Sequence, residues 1–420
     1  MRIYIETQGC SLNQADTESM AGYLEQEGHQ LVDAQEDADV VVYNTCTVKN
    51  PTEDSFLARL TRQKKPVVVA GCIPQADKQG LLDGYVQLGT KQLHNITHAV
   101  HAAAHKQQYI QIGSSTHERL NTPKVRLNPY VEIVPICAGC LSSCTYCKTK
   151  QARGNLVSYR PSDIEQQVRS AVDGGVKEVW LTSQDNGAYG MDIGTNPGEL
   201  LERVARIEGD FMIRFGMTNP DWTKKWLPEL IRAYKHPKVY MFLHLPIQAG
   251  SDAVLRHMRR RCTAQDIRDI VTAFRAEIPG ITIATDIICG YPTETEEDFA
   301  QTLALVNELA FPIIHISKFY PRPDTPAAGM NKLPTEVVKS RSRELTRLFE
   351  SAAWREQHAH LLGTEQLVRF VEKKGDSYIG RTEQYLPVIV HTDQDLLGTT
   401  RRVHITHTTR DDIRGHVLEA

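Results

Sequence analysis

Two groups of cysteines have a spacing that suits iron–sulfur chemistry. The first group is Cys140, Cys144 and Cys147, a CxxxCxxC loop that follows a predicted strand. Three thiolates this close together can bind three irons of a cubane from one loop, which leaves the fourth iron without a protein ligand. A structural zinc site would need a fourth ligand, which Cys137 could supply, but no second CxxC or His pair follows within about 20 residues. The spacing therefore favours a cluster over zinc.

The second group is spread along the chain and consists of Cys10, Cys46 and Cys72, each at the carboxyl end of a predicted strand. In an open α/β sheet those strand ends share one crevice, so the three thiols could meet there as ligands. Each cysteine alone would be interpreted as a small buried residue. Cys262 and Cys289 lie outside both groups, and Cys289 is expected in the core of a strand.

The first part of the chain has the pattern of alternating strands and helices. Ile3–Thr7, Val40–Asn44 and Val67–Gly71 are short apolar runs typical of buried parallel strands. A polar stretch from Lys106 to Pro129 has neither helical nor strand periodicity and marks the first domain boundary. We therefore predict an open α/β domain for this part.

The middle of the chain repeats the alternation with longer units and six predicted strands, the number of an open parallel barrel. These strands are Tyr130–Ile136, Lys177–Thr182, Phe211–Met217, Val239–Leu245, Ile281–Cys289 and Ile313–Tyr320. The segments Ser162–Glu165 and Thr293–Glu296 each have the pattern of a capping box at a helix start.

The last part of the chain begins with an amphipathic segment from Thr335 to about Leu362 and continues with β-type runs. The predicted strands are Leu367–Val371, Ser377–Gly380, Val388–His391 and Val403–His407, which fit a small antiparallel barrel. Phe370, Tyr378 and Tyr385 are expected to fill its core, although aromatic rings of this kind could also stack on bases. Eight Lys and Arg stand against nine Asp and Glu in residues 364–420, so RNA binding there would need the cations sorted onto one side.

Composition sets broad limits on the protein. At roughly 150 residues per domain, 420 residues correspond to about two to three domains. The net charge of −3 gives no overall positive field that would attract nucleic acid. The chain has no basic region before an apolar segment at its start and no run of about 18 apolar residues. A cytoplasmic protein with no membrane partner is expected.

Eight sequence segments resemble the methylthiotransferases of the radical S-adenosylmethionine superfamily, in order and over nearly the whole chain. They are QGCSLNQADTE, NTCTVKNPTE, VAGCIPQ, GCLSSCTYCKTKQARG, TSQDNGAYG, HLPIQAGSD, DIICGYPTETEEDF and FYPRPDTPAAGM. The resemblance is greatest to the archaeal and eukaryotic branch that modifies N6-threonylcarbamoyladenosine at position 37 in the tRNA anticodon loop. It implies an α/β protein with an N-terminal Rossmann-like open α/β domain (1–120), a central partial (β/α)6 radical SAM barrel (126–360) and a C-terminal TRAM-like β-barrel (361–420).

The resemblance also implies two [4Fe–4S] clusters and S-adenosylmethionine. Cys140, Cys144 and Cys147 would bind the radical cluster, and Cys10, Cys46 and Cys72 the auxiliary one. In such enzymes the auxiliary cluster holds a sulfide that one S-adenosylmethionine methylates. A second S-adenosylmethionine is cleaved to a radical that removes hydrogen from C2 of the adenine. The sequence leaves the sulfur donor and the electron donor open.

Residues at the strand ends around the first cluster are expected to hold S-adenosylmethionine. They are Gln184, Asp185, Gln248, Ser251, Arg260 and Asp286. A buried Arg260 could form a bidentate pair with the ligand carboxylate, whereas a solvated helix end is the alternative for this basic segment. Lys148, Lys150 and Arg153 could form a positive rim for anticodon-loop phosphates, or a plain solvated face. Asp324 stands where the family usually has Gly, so a glycine-dependent turn is expected to differ there.

Three other functions remain open from the sequence. The sister branches of the family methylthiolate a ribosomal-protein aspartate or isopentenyladenosine in tRNA. A cluster-bearing RNA-binding protein without turnover is an alternative from another class.

Overall fold

A computed structural model describes residues 1–47, 50–350, 358–409 and 412–418, with the side chains of 50–54 outside the description. Val48 and Lys49 of the second motif, residues 351–357 of the amphipathic segment, and the cation Arg410 lie outside the described residues.

The N-terminal domain is built on a six-stranded parallel sheet with the order β2-β1-β3-β4-β5-β6. Its strands are β1 (Arg2–Thr7), β2 (Gln30–Leu31), β3 (Val40–Thr45), β4 (Val67–Gly71), β5 (Val86–Gly89) and β6 (Ile110–Gln111), and its helices are α1 (Ser11–Gln26), α2 (Asn50–Leu60), α3 (Cys72–Ala76) and α4 (Ile96–Ala104). The three predicted strands are confirmed, and β3 and β4 are buried along their full length, as central parallel strands must be.

The central domain is an open barrel of six parallel strands. The elements from here to the next domain are β7 (Val131–Pro135), β8 (Cys137–Ala138), α5 (Thr149–Arg153), β9 (Val157–Ser158), α6 (Pro161–Asp173), β10 (Glu178–Thr182), α7 (Pro197–Ala205), β11 (Met212–Phe215), α8 (Pro220–Thr223), α9 (Leu227–Tyr234), β12 (Phe242–His244), α10 (Asp252–His257), α11 (Ala264–Glu277), β13 (Thr282–Cys289), α12 (Glu296–Leu309), β14 (Ile313–Lys318) and α13 (Thr335–Phe349). The sheets β11-β10-β7 and β12-β13-β14 are joined by a parallel bridge between Ile213 and Val239. The six predicted strands are confirmed, and β8 pairs with β9 separately.

The starts of two helices differ from the predicted capping boxes. Helix α6 begins at Pro161, because proline has the helical φ and lacks the N–H that would go unpaired at that position. The predicted box at Ser162 is therefore wrong. Helix α12 does have a capping box, but it is formed by Thr295 and Asp298, two residues later than predicted.

The C-terminal domain is a closed five-stranded barrel with the order β15-β16-β17-β19-β18. Its strands are β15 (Glu365–Lys374), β16 (Ser377–Arg381), β17 (Pro387–His391), β18 (Thr400–Thr408) and β19 (Ile413–Val417). All pairings are antiparallel except β17 with β19, which is parallel. Phe370 and Tyr378 fill the barrel core as predicted.

The third predicted core residue, Tyr385, instead packs inside the central barrel. Its ring lies 4.8 Å from that of Tyr240 and 5.0 Å from that of Phe242. Its face also lies 5.5 Å from the guanidinium of Arg214, which contacts Trp180 as well. The prediction was wrong because the partners of Tyr385 belong to another domain. The loop after β16 therefore closes the central barrel at the end where its strands begin.

Among the described residues, none of the helices has the length and apolar character needed to cross a bilayer.

Candidate functional site

The structure brings Cys10, Cys46 and Cys72 together at the carboxyl edge of the N-terminal sheet. Cys10 is the N-cap residue of α1 after β1, Cys46 directly follows β3, and Cys72 is the first residue of α3 after β4. These three strands are neighbours in the sheet, and their parallel register aligns the ends from which the cysteines extend. Cys10 is exposed, whereas Cys46 and Cys72 are buried.

Asn13 lies between the sulfurs of this group. Its Oδ1 is 3.7 Å from Sγ of Cys10 and 3.8 Å from Sγ of Cys72. Its Nδ2 donates to the carbonyls of Gln8 and Thr45, at the ends of β1 and β3. The side chain therefore fixes two strand ends and two cysteine sulfurs relative to one another.

Gly9 is required for the close approach of Cys46. A Cβ at Gly9 would lie 2.8 Å from Sγ of Cys46, and the glycine has a φ of +106°. Residues with a side chain rarely adopt this φ, and a side chain would have no room at this position. The sulfur of Cys46 thus lies against the residue that precedes Cys10.

A buried ion pair reaches this group from the central domain. Arg153, with a side chain 3% exposed, lies 2.7 Å from Asp16, whose side chain is fully buried. Its guanidinium also donates to Oδ1 of Asn13 at 2.7 Å, and Arg119 forms a second ion pair with Asp16. Arg153 is therefore not part of a solvated rim, because Asp16 and Asn13 hold it inside the interface. Burial raises the pKa of the Cys72 thiol, and Arg153 partly offsets that shift.

The second group, Cys140, Cys144 and Cys147, lies in the loop between β8 and α5, beyond the carboxyl end of β7. The N–H of Ser142 donates to Sγ of Cys140 at 3.3 Å. Burial, with the nearby Asp185 and the other two thiols, raises the pKa of Cys140 to about 12. Such thiols stay neutral unless a cation compensates the thiolate charge, and a bound metal deprotonates a coordinating thiol. Cys137 lies apart from them in the hydrophobic core, fully buried.

The start of the loop is fixed by its backbone. A Cβ at Gly139 would collide with the carbonyl oxygen of Asn155, and the residue has a φ of +76°. Its N–H donates to Oε1 of Gln184 at 2.8 Å. Gln184, a predicted S-adenosylmethionine contact, therefore positions the cysteine loop.

Helix α5 connects the two cysteine groups. Ala152 packs against Cys72 and Ala76, and its carbonyl accepts a hydrogen bond from Oγ1 of Thr90. Since α5 begins two residues after Cys147, the loop of one group is continuous with the wall of the other.

The segment after β14 makes a second connection. Arg322 donates to the hydroxyl of Thr47, next to Cys46, at 2.8 Å, and the N–H of Ala327 donates to the carbonyl of Thr145 in the other cysteine loop. Asp324 has a φ of +61° and its carbonyl accepts from Nε2 of Gln151. The turn expected to differ at this position is thus formed with Asp in the left-handed region, which Asp tolerates better than most residues.

Beside the Cys140 group, the buried polar atoms without a hydrogen-bond partner among the described residues include Oδ2 of Asp185, Oδ1 of Asn219 and Nε of Arg260. Nε of Arg260 lies 4.0 Å from Oδ1 of Asp221, a carboxylate whose side chain is 1% exposed. The other carboxylate oxygen of Asp185 accepts from the backbone N–H of Asn219 at 3.0 Å. Arg260 is 6% exposed and donates to the carbonyl of Pro246, so it is not a solvated helix end. Burial raises the pKa of Asp185 to about 7.

The remaining predicted ligand contacts occupy different positions. The hydroxyl of Ser251 caps α10 and donates to Asp298 at 2.5 Å. Gln248 has a φ of +71° and bonds through its backbone N–H to the carbonyl of Asp286. The carboxylate of Asp286 lies 2.6 Å from Nε2 of His244 on the inner wall of the barrel.

Sequence reasoning missed Asn13, Asp16, Arg119 and Asn219. Helix α1 buries Asn13 and Asp16 along with apolar side chains, which an ordinary amphipathic helix does not, so an apolar stripe in the sequence does not reveal them. The partners of Asp16 lie more than a hundred residues away, so no local pattern identifies them.

The donor sets fit the two expected clusters and S-adenosylmethionine. Among the described residues, no group of three or more Cys, His, Asp or Glu could hold a single metal ion. A cubane needs a looser arrangement, with one thiolate on each iron. This fit rests on two structural observations: the crowding at Gly9 and the buried polar atoms without hydrogen-bond partners beside the Cys140 group.

Comparisons with known proteins cover both halves of this site. The model of the radical SAM superfamily matches residues 134–306, and the model described as uncharacterized protein family UPF0004 matches residues 2–88. The threonylcarbamoyladenosine tRNA methylthiotransferase of Drosophila melanogaster is 42% identical over an alignment of 433 residues. The alignment covers 100% of this chain and 78% of that protein. A probable threonylcarbamoyladenosine tRNA methylthiotransferase of Methanothermobacter thermautotrophicus is 42% identical over 97% of this chain and 98% of its own.

Among solved structures, the radical S-adenosylmethionine methyltransferase TsrM from Kitasatospora setae is similar in fold. Its TM-score is 0.55 at 14% identity, over 78% of this chain and 74% of that one. Similarity at this identity concerns the fold alone.

Proposed function

The chain belongs to the family of threonylcarbamoyladenosine tRNA methylthiotransferases, and from this premise we propose how its residues carry out the reaction. It is a radical SAM enzyme that converts N6-threonylcarbamoyladenosine in tRNA to the 2-methylthio derivative. We further propose that the acceptor is adenosine 37 of the anticodon loop and that the enzyme acts in the cytoplasm.

The single observation that carries this proposal is the junction of the two cysteine groups through α5. Cys140, Cys144 and Cys147 would hold the [4Fe–4S] cluster that the superfamily implies. Our proposal adds a second [4Fe–4S] cluster on Cys10, Cys46 and Cys72. It is supported by the contact of Asn13 with two of these sulfurs and by the lack of space at Gly9.

The proposed reaction needs one-electron chemistry. A [4Fe–4S] cluster with S-adenosylmethionine supplies reductive cleavage of the sulfonium, which suits an adenine C2–H that neither a general base nor a nucleophile can open at neutral pH. The protein residues bind, orient and shield the reactants.

The S-adenosylmethionine site would use the unpaired polar atoms beside the Cys140 group. The guanidinium of Arg260 suits a carboxylate, and Oδ2 of Asp185 together with Oδ1 of Asn219 suits an ammonium group. Buried polar atoms without hydrogen bonds cost free energy, and a zwitterionic ligand end would supply those bonds. The guanidinium of Arg260 would then lie between the ligand carboxylate and Asp221, which is 4.0 Å from its Nε. Gln184 would act by holding the loop, and Ser251 by capping α10. Gln248, which follows β12, and Asp286, which lies within β13, stay proposed contacts.

The test separates the two clusters by substitution. Anaerobically reconstituted wild-type protein should hold about eight irons per chain, as two [4Fe–4S] clusters require. Cys144→Ala and Cys72→Ala should each lose about half of the iron, and neither should form the methylthio product. Cys72→Ala should still cleave S-adenosylmethionine, whereas Cys144→Ala should not. Cys289→Ala, in a core position away from both groups, is the matched control.

The substrate is tested in the same assay with tRNA that carries either the threonylcarbamoyl or the isopentenyl group, followed by mass spectrometry of the nucleosides. Product from the isopentenyl form alone would overturn the assignment of the acceptor. Full iron content and full product in Cys72→Ala would overturn the second cluster. Iron and RNA binding without 5′-deoxyadenosine would indicate a non-catalytic protein.

A further inference from the structure

A cavity of about 530 Å³ lies outside the cysteine groups, where the N-terminal domain meets the central barrel. Its walls come from α1, the segment after β5, residues 115–122 and the region from β8 to α6. The lining includes Tyr23, Lys91, His94, His117 and Arg160, and none of the six cluster cysteines. The volume falls in the range of small-molecule sites, about 300–1,000 Å³.

One wall of the cavity is a stack of two imidazoles. The rings of His94 and His117 lie 4.2 Å apart at an angle of 19°. Nε2 of His117 is 2.8 Å from the hydroxyl of Tyr23, which orients the ring. His117 is exposed, so its outer face is open to a planar ligand. Flat faces of this kind bind unpaired bases without sequence preference.

The cavity also has two cationic groups that form no close pair within the described part of the protein. Neither the ammonium of Lys91 nor the guanidinium of Arg160 has a hydrogen bond or ion pair among the described residues. Arg119, a third cation of the lining, is already paired with Asp16. Glu118 and Asp163 are the acidic residues of the lining. Lys91 and Arg160 are therefore able to bind a phosphate.

The position of the cavity connects it to the cysteine loop. Ala138 lines it and precedes Cys140 by two residues, so at most about 7 Å of chain separates them. Lys91 Nζ lies beside Gly154, whose carbonyl accepts from the N–H of Cys140 at 3.2 Å. A strand of RNA that reaches the cysteine loop could therefore also reach the cavity.

We propose that this cavity binds one nucleotide of the tRNA substrate next to the modified adenosine, with its base on His117 and its phosphate between Lys91 and Arg160. The inference rests on the proposed function, because it needs tRNA as the substrate. An unpaired loop nucleotide presents both the π face and the phosphate that the cavity can bind.

The test measures binding of the anticodon stem-loop by fluorescence anisotropy over a range of salt concentrations, with the reconstituted full chain. Removal of both cations in Lys91→Ala/Arg160→Ala should lower the slope of log K against log salt by about 1 for each phosphate that the variant no longer neutralises. His117→Ala should weaken binding about tenfold, and His117→Phe, which keeps a flat ring but loses the bond to Tyr23, should restore most of it. Lys106→Ala removes an exposed cation that follows α4 and does not line the cavity, so it should leave both quantities unchanged.

Iron content and thermal unfolding of each variant establish that it is folded and loaded. An unchanged salt slope in the double variant would overturn the inference, and so would equal losses of affinity in His117→Ala and His117→Phe. The proposed function would still stand in both cases, as long as the wild-type protein binds the stem-loop. If free adenosine monophosphate binds the cavity as tightly as the stem-loop, the site serves a free nucleotide and the inference is also wrong. If wild-type protein binds and modifies no tRNA, the proposed function itself fails.

Discussion

Asp16→Asn is expected to destabilise the N-terminal domain more than Arg153→Met does. Removal of Asp16 leaves two guanidiniums, Arg153 and Arg119, facing each other without a carboxylate, and the side chain of Arg153 is only 3% exposed. Breaking a buried ion pair from one side costs about 3–5 kcal/mol. Removal of Arg153 leaves Asp16 still paired with Arg119. The loss of stability should therefore be about 1.5–3 kcal/mol, the contribution of a charged hydrogen bond. Arg206→Met, at a side chain 74% exposed, should cost less than about 1 kcal/mol.

The assay is hydrogen exchange of the apoprotein, read at the amides of β1 and β3, because a chain of three domains does not unfold in one transition. The opening free energy of these strands should fall in the order wild type, Arg153→Met, Asp16→Asn. Arg153→Met should also lower the iron bound at the Cys10 group, because Asn13 loses the donor that orients its Oδ1. Equal effects of the two substitutions, both within the range of Arg206→Met, would refute this reasoning.

Three further outcomes follow from the geometry. Gly9→Ala should cost about 1–3 kcal/mol of stability and lower the iron bound at the Cys10 group, because the new methyl would collide with Cys46 and the φ is +106°. An iron content equal to that of the wild type would contradict this prediction. Tyr385→Ala should cost about 2 kcal/mol and speed hydrogen exchange in the loop after β16, because Arg214 loses one of its ring contacts; unchanged exchange would contradict the docking. Burial raises the pKa of Asp185 to about 7, against about 3.9 unfolded, so the wild type should lose stability from about pH 4 to about pH 7. Asp185→Asn should lack this loss in the opening free energy of β10 and β11 measured by hydrogen exchange, and identical pH profiles of the two proteins would disprove it.

The strands that position both cysteine groups could be predicted because the local pattern and the final burial agree. Val40–Thr45 and Val67–Gly71 each begin with three consecutive valines, and both strands are buried along their full length. The strand Ile413–Val417 was missed because it is short and contains a glycine and polar residues. Its parallel pairing with β17 depends on closure of the barrel, which no local pattern encodes.

The environment of the cysteines was harder to predict than their identity. The run of Lys148, Lys150 and Arg153 is typical of a solvated basic face, yet Lys148 and Arg153 are buried. Arg153 is buried because the fold brings Asp16, a carboxylate on α1, to it from a distant part of the sequence. A charge pattern indicates exposure only as long as no distant counter-charge meets it, so such a prediction fails first at domain interfaces.

The position of Arg153 accounts for how a site with two cysteine triads can be built from two domains. A chain with one cysteine triad in each domain needs a rigid connection between them, or their spacing would change with every hinge motion. Here the residue that ends the helix after one triad is held by Asp16 and by the Asn13 amide that contacts two sulfurs of the other triad. The buried charges are costly, and replacing them by apolar residues could give an equally stable interface. What apolar packing would not supply is the directional hydrogen bond to Asn13, so the geometry of the site, more than the stability of the fold, explains a charged residue at this position.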